Sequence, residues 1–334
     1  MRRPSRLGLA LGALALTLTA CSHGSPGASS STTTSSSSAA APGTGGWSRA
    51  VALAPGAALT VVSCPAVGNC TAGSQAGTTY QFLDGRTRTI GPVGSAPSPQ
   101  GSQYLTCPSP TFCVAVPGLN QVFTFNGSSW SAPTTISAAQ GFTAVTCVGT
   151  SWCVAIDGEG NSFVYDGRGW SGNVGAWGAA NQISCVSPSF CIAAEGGPSV
   201  WDGRSWTQPS NADTAGQLNS VSCASATFCV AVDSAGNVLT WNGSAFSAPT
   251  SIATEPPVSG TNASGLTSVS CPTTTFCRAV DSIGRVFDYD GTSWSSGTLI
   301  DNGGTLTSIS CPTVSFCAAV DRQGHIYAWT PPAS

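Results

Sequence analysis

The chain contains no lysine, one methionine and two histidines, and only 7% of its 334 residues are charged. All eleven basic residues are arginine, and three of them, Arg2, Arg3 and Arg6, fall in an N-terminal segment that reads as removable. From Cys21 onward eight arginines stand against fourteen acids, a balance of −6. No basic stripe exists, which argues against nucleic acid or an anionic membrane surface as an electrostatic partner. With His23 and His325 the only imidazoles, zinc ligation by the cysteines lacks its usual co-ligands. No 3.6-residue apolar period runs through the body of the chain, so a helical fold is excluded. The longest apolar run, "LGLALGALALTL" at residues 7–18, is too short to span a bilayer.

That run follows the arginines of "MRRPSR" and precedes small residues, the order of an export signal. At residues 18–21 the sequence reads "LTAC", which resembles the lipobox of bacterial lipoproteins. The resemblance implies cleavage before Cys21, lipidation of its sulfur, and a chain held on the outer face of the cell membrane. Residues 1–20 are then a signal peptide. Residues 21–46, rich in Ser, Thr, Ala and Gly, cannot bury enough apolar surface to order themselves and form a tether. A coil of this length spans roughly 25 to 30 Å between its ends.

Cysteine is what the chain has in abundance. Fourteen of fifteen form seven pairs with five residues between: Cys64/Cys70, Cys107/Cys113, Cys147/Cys153, Cys185/Cys191, Cys223/Cys229, Cys271/Cys277 and Cys311/Cys317. Successive pairs start 43, 40, 38, 38, 48 and 40 residues apart, which is an array. The unit "LNSVSCASATFCVAVDSAGNVLTWNGSAFSAP", residues 218–249, carries four strand signals separated by turn residues. Its second connection is Asp-x-x-Gly, as at Asp233–Gly236, Asp281–Gly284 and Asp321–Gly324. Its third is Asn-Gly or Asp-Gly, at Asn126, Asp166, Asp202, Asn242 and Asp290, which predicts type I′ turns. Four antiparallel strands in about 40 residues make a propeller blade. The chain therefore resembles β-propeller repeat proteins, and residues 47–334 are expected to form an all-β, seven-bladed β-propeller.

In an exported chain each Cys-x5-Cys pair reads as a disulfide closing the first hairpin, worth about 2.4 kcal/mol by loop entropy. Alternating connections put the first and third turns of every blade on one face, and the second turns and blade-to-blade connections on the other. Second-turn acids Asp157, Asp233, Asp281, Asp321 and Glu195 can cap their turns or form a cation-holding ring. The aromatics Trp130, Trp170, Trp206, Phe246 and Trp294, four residues after the third-turn Asn or Asp, can pack between blades or stack on sugars. Residues that break the repeat are candidates for a ligand face: Trp177 in a blade connection, His325 after Gly324, and Glu159, Glu195 and Arg322 beside second turns. No Ser or Cys partner makes His325 part of a triad.

These features favour a monomeric, membrane-anchored binding module for a protein or extracellular polymer, without a cofactor. A glycan-binding lectin-like propeller is the alternative, and a propeller lyase or hydrolase a third. Trp47 lies 17 residues before Cys64, the spacing of Trp130, Trp206 and Trp294 from Cys147, Cys223 and Cys311, while the seventh unit ends after its third strand. The strand at Trp47 is thus expected to complete the last blade.

Overall fold

The computed structural model describes residues 46–93, 104–117, 119–136, 139–171, 180–195, 197–209, 216–254 and 265–332. The signal peptide and Cys21 lie outside them. The described residues contain strands and no helix, arranged as seven antiparallel sheets. Blade 5 shows the pattern: Leu218–Ser225, Phe228–Asp233, Asn237–Trp241 and Thr250–Ser251 pair in sequence order. Blade 3 has three full strands, its fourth reduced to a bridge between Tyr165 and Trp170.

The second strand explains why the repeat is apolar without alternation. Val230 and Val232 pack with Phe287 of blade 6, whereas Cys229 and Ala231 pack with Ile192 and Ala194 of blade 4. Side chains alternate between faces, but both faces meet a neighbouring blade, so every position is buried. Burying each such valine contributes about 1.5–3 kcal/mol.

First strands of successive blades lie against one another and exchange hydrogen bonds through side chains. Ser220 and Ser222 Oγ accept the amides of Val269 and Cys271 at 3.2 and 2.9 Å, and Ser268 and Ser270 accept those of Ile309 and Cys311 at 3.2 and 3.0 Å. Ser308 and Ser310 do the same for Val62 and Cys64 at 3.1 and 3.0 Å, joining the last blade to the first. Thr143, Asn219, Thr267 and Thr307 donate in return to the next blade's carbonyls at Ala180, Leu266, Leu306 and Leu59. Edge groups of seven small sheets are satisfied in this way without strand pairing between blades.

All seven expected disulfides are present: Cys64–Cys70, Cys107–Cys113, Cys147–Cys153, Cys185–Cys191, Cys223–Cys229, Cys271–Cys277 and Cys311–Cys317, with Cα–Cα separations of 3.9–4.1 Å. Each bridges the first two strands of its blade as expected, but the local pairing differs between blades. In blades 3, 4 and 5 the two cysteines are direct register partners. In blades 1, 2, 6 and 7 they are not, and Cys70, Cys113, Cys277 and Cys317 each stand opposite a register shift in the first strand. Backbone pairing there stops at Ser63–Thr71, Thr106–Val114, Ser270–Arg278 and Ser310–Ala318, and resumes at Ala66–Asn69, Ser109–Phe112, Thr273–Phe276 and Thr313–Phe316. Blades 4 and 5 also shift, but only past the cysteine pair, between Cys185 and Ser187 and between Cys223 and Ser225; the shift takes in the cysteine pair itself where Pro65, Pro108, Pro272 and Pro312 follow the first cysteine in place of Val148, Val186 and Ala224. Proline has no amide to give the ladder and is tolerated in a strand at an edge or bulge. In those blades the disulfide spans an irregularity that proline enlarges.

Third turns pack beside the first hairpins: a Cβ on Gly243 would stand 3.1 Å from Thr227 Cγ2. Both turns therefore share a face.

The type I′ expectation holds where it was not made and fails where it was. Among the third turns described, only Asp84 and Gly85, φ 47° and 81°, form a two-residue turn, between Leu83 and Arg86. At Asn126, Asp166, Asp202, Asn242 and Asp290 the loop has four residues, because the flanking pairs are Phe125–Trp130, Tyr165–Trp170, Trp201–Trp206, Trp241–Phe246 and Tyr289–Trp294. The first residue keeps a negative φ, and its side-chain oxygen accepts amides two and three residues on, as Asp202 does from Arg204 and Ser205 at 2.8 Å each. These bonds hold the Asp166 and Asp202 carboxyls below the ordinary range, and at Asp290 a bond from the Thr292 hydroxyl, added to the amides of Ser293 and Thr292, lowers the carboxyl to about 2.

The repeated aromatics form a packed belt. Trp130, Trp170, Trp206, Phe246 and Trp294 each sit 5.3–5.6 Å from the third-strand ring of their own blade. Phe112, Phe190, Phe228 and Phe276 meet the third-strand ring of the next blade at 6.1–6.5 Å. Trp130 Nε1 donates to Thr79 and Trp206 Nε1 to Ser162 in the preceding blade. Each ring pair contributes about 0.5–1.5 kcal/mol beyond its buried area.

The chain's N-terminal segment closes the ring. Gly46–Trp47 pairs with Thr330 and Trp329, and Val51–Ala52 with Ile326 and His325. Ser48 exchanges two bonds with Ala328, its N–H donating at 2.7 Å and its Oγ accepting at 3.0 Å. Ser131, Ser171, Ser247 and Ser295 repeat this exchange in other blades. Arg278 of blade 6 reinforces the closing seam: it stands 3.7 Å from the Trp329 ring centroid, 5.4 Å from Trp47, and pairs with Asp288. A partly desolvated guanidinium on tryptophan is worth about 2 kcal/mol. Deleting residues 47–53 should lower the melting temperature by more than about 10 °C, roughly the loss of several kcal/mol in a domain of this size. Differential scanning calorimetry showing an unchanged transition would contradict closure by this strand.

Candidate functional site

The second turn is built around one carboxylate. Asp233, fully buried, accepts the amides of Ala235 and Asn237 on Oδ1 at 2.9 and 2.8 Å, and Asn237 Nδ2 on Oδ2 at 2.9 Å. Asp157, Asp281 and Asp321 are equally buried and accept the corresponding amides. Their oxygens are spent on the turn, so the acids act as caps, not as a cation ring. Among the described residues no group of three His, Cys, Asp or Glu could hold a metal ion.

The glycine three residues after the acid is also fixed. Gly236, Gly284 and Gly324 have φ of 85°, 91° and 89°, and their carbonyls accept the amides of the strand that ends the blade. A Cβ on Gly324 would lie 2.0 Å from Ala54 O. These second turns are thereby clamped to their own blade's outer strand, including in the blade closed by Leu53 and Ala54.

His325 is a variation within this motif and not a break in it. The residue four after the acid donates a side-chain bond to Oδ2: Asn161 at 3.0 Å, Asn237 at 2.9 Å, Arg285 at 2.7 Å and His325 Nδ1 at 2.7 Å. Sequence comparison sets Ser162 against His325; the turn geometry aligns Asn161 instead. His325 remains 36% exposed, with Arg322 exposed beside it. Glu159 is exposed in blade 3, three blades away around the ring, so these candidates are not brought together. The Glu195 backbone ends a strand of blade 4, while its side chain, and Trp177 altogether, lie outside the described residues.

Two further charged residues belong to this face. Asp301 occupies the position of Ala54 and Ala253, its amide bonded to Gly284 O as theirs are to Gly324 and Gly236 O. Its side chain lies over Gly304 at the seam with blade 7, where Asp321, His325 and Tyr327 converge. Tyr327 donates to Asp321 Oδ2 at 3.1 Å. Burial, then the charge of Asp321, raises the Asp301 carboxyl above 3.8, with His325 opposing; Tyr327 is raised by burial and both carboxylates. The second residue is Arg285, on the second turn of blade 6. An alignment of the repeats shows both as charges where other blades place Ala or Asn. What it does not show is that Arg285 is buried and Asp301 half-buried.

No protein-family model and no curated protein sequence matches the chain. Solved structures do. YCF48 bound to D1 peptide superposes with a TM-score of 0.67 at 14% identity, covering 85% of this chain and 96% of that one. The WD40 repeats of RRP9 give 0.71 at 12% identity, covering 84% and 96%. YCF48 from Cyanidioschyzon merolae gives 0.63 at 13% identity, covering 85% and 98%. What they share with this chain is the propeller. At such identities the likeness concerns the fold alone.

Because Asp301 binds its proton more tightly folded than unfolded, its contribution to stability is greatest below pH 3.8 and falls as pH rises through the folded value. Asp301→Asn should therefore melt higher than the wild type at pH 7 and approach it near pH ~3.5. Thermal melts across that range check this, and a neutral-pH melting temperature lowered by the substitution would contradict it.

Proposed function

We propose that this chain is an exported, Cys21-lipidated propeller that binds a protein partner on its second-turn face. The reading rests on one observation above others: Arg285, Asp301, Arg322 and His325, on second turns or the connections beside them, bring four charged or titratable groups to adjacent blades 6 and 7, whereas Glu159 stands alone in blade 3 and Glu195 in blade 4. The opposite face is repetitive, built from disulfide hairpins and capped four-residue loops. Propellers carry unrelated activities, and ligands gather where loops depart from the scaffold. YCF48 takes a D1 peptide on a propeller of similar fold, which makes a peptide-bearing partner a reasonable class. Sugar stacking loses its motive, since Trp206 and Phe246 are 5% exposed and the other three rings pack against neighbouring rings.

A photo-crosslinking residue placed in the full chain at Gln323, exposed on the second turn of blade 7, should yield a protein adduct in the native envelope. The same residue at Val314, 48% exposed on the opposite face, should not. Adducts at Val314 alone, or none at either, would overturn the assignment. For the anchor, Cys21→Ala should move the chain from the membrane to the soluble fraction; a variant that stays in the membrane would contradict lipidation.

A further inference from the structure

Arg285 is nine-tenths buried and only partly used. Its amide and Nε bond Asp281 Oδ1 and Oδ2 at 2.8 and 2.7 Å, and its guanidinium carbon lies 5.2 Å from the Phe287 centroid. Side-chain exposure is 8%. Both Nη groups are buried and have no hydrogen-bond partner among the described residues. Asn161 and Asn237 donate the corresponding side-chain bond in their turns with a short neutral group, so the cap does not require a guanidinium. The extra length and charge of Arg285 are unexplained by the scaffold. Two unpaired donors in a rigid fork match the two oxygens of a carboxylate.

We propose that Arg285 is the floor of a carboxylate-binding site at the second-turn end of the seam between blades 5 and 6. Phe287, two residues on along the same strand face, packs with Val232, Val238 and Ala253, which directs Arg285 toward blade 5. The neighbouring Asp281 already neutralises one unit of the guanidinium's charge, so a ligand would be held by the two free Nη donors and not by net charge. Against this neutral Arg285–Asp281 pair a phosphate dianion meets about twice the Asp281 repulsion of a monocarboxylate. Leu299, the register partner of Arg285, is 54% exposed, and Ile283 and Ile300 are half-buried. That apolar lip suits a carboxylate carried on a peptide, an acidic side chain or a free C-terminus. The site rests on the protein-binding reading for its biological occupant, but its anion chemistry can be tested alone.

The full chain is melted in ~100 mM sodium acetate, in sodium chloride and in phosphate at matched ionic strength. Acetate should raise the melting temperature by about 2 °C or more over chloride, with phosphate raising it less. Arg285→Asn, which installs the residue blades 3 and 5 already use, should abolish the acetate response. An independent reading comes from the wild type, whose Arg285 guanidinium nitrogen resonances should shift with acetate and stay fixed with chloride. Equal responses in both proteins, a larger effect of phosphate, or unmoved resonances would overturn the site. Arg285→Asn should also cut the Gln323 crosslink yield at least several-fold. Adducts that form regardless of residue 285 would refute this role for Arg285 while leaving the protein-binding reading standing.

Discussion

Each blade offers an inner strand whose outward amides have no strand to pair with, and the fold depends on satisfying them. Serine at alternate positions of "SVSC" and "SISC" supplies an acceptor to the next blade, and Thr or Asn just before supplies a donor. A buried amide left unpaired costs about 1–3 kcal/mol. The arrangement therefore rewards a complete circle: Val62 and Cys64 are satisfied only when Ser308 and Ser310 arrive beside them. Closure by the strand at Trp47 and the Arg278 stack on Trp329 serve to hold that circle shut, while each disulfide stiffens its own blade.

A ring organised in this way divides its surface. On one face, the third-turn Asn and Asp residues and the disulfide hairpins are locked by bonds within the blade. On the other, the acid and glycine of each capped second turn are equally committed, but the residue four after the acid is free to vary among Asn, Arg and His as long as it donates one bond. That single permissive position places Arg285 and His325, and the blade-ending position places Asp301. Function is thereby confined to side chains that exceed what the turn needs.

Much of this was legible in the sequence because a repeat reports structure by comparison with itself. Seven cysteine pairs set the blade number, and the 17-residue spacing from Trp47 to Cys64 marked the closing strand. The identical spacing within the cysteine pairs hid a difference in pairing: the prolines after Cys64, Cys107, Cys271 and Cys311 break the ladder opposite Cys70, Cys113, Cys277 and Cys317, and a count of intervening residues does not register that. The third turns were misread because Asn-Gly signals a two-residue turn only when a strand residue follows at once. Here "NGSSW" and "DGRSW" interpose two polar residues, and the tryptophan marks where pairing resumes. His325 looked exceptional as the one histidine after His23, and only the turn shows that it donates the same bond to its acid as Asn161, Asn237 and Arg285. Arg278 and Arg285 were invisible as buried groups, since a strand written "CRAV" reads as an ordinary exposed arginine until the neighbouring blade's rings are seen to cover it.

Amide hydrogen exchange at the closing seam tests the account most directly. If the ring is a single cooperative unit, the amides of Val62 and Cys64 should exchange as slowly as those of Val269, Cys271, Ile309 and Cys311, through global unfolding. Exchange at Val62 and Cys64 that is orders of magnitude faster than at the other four would show a seam that opens by itself, and would contradict closure by the chain's own ends.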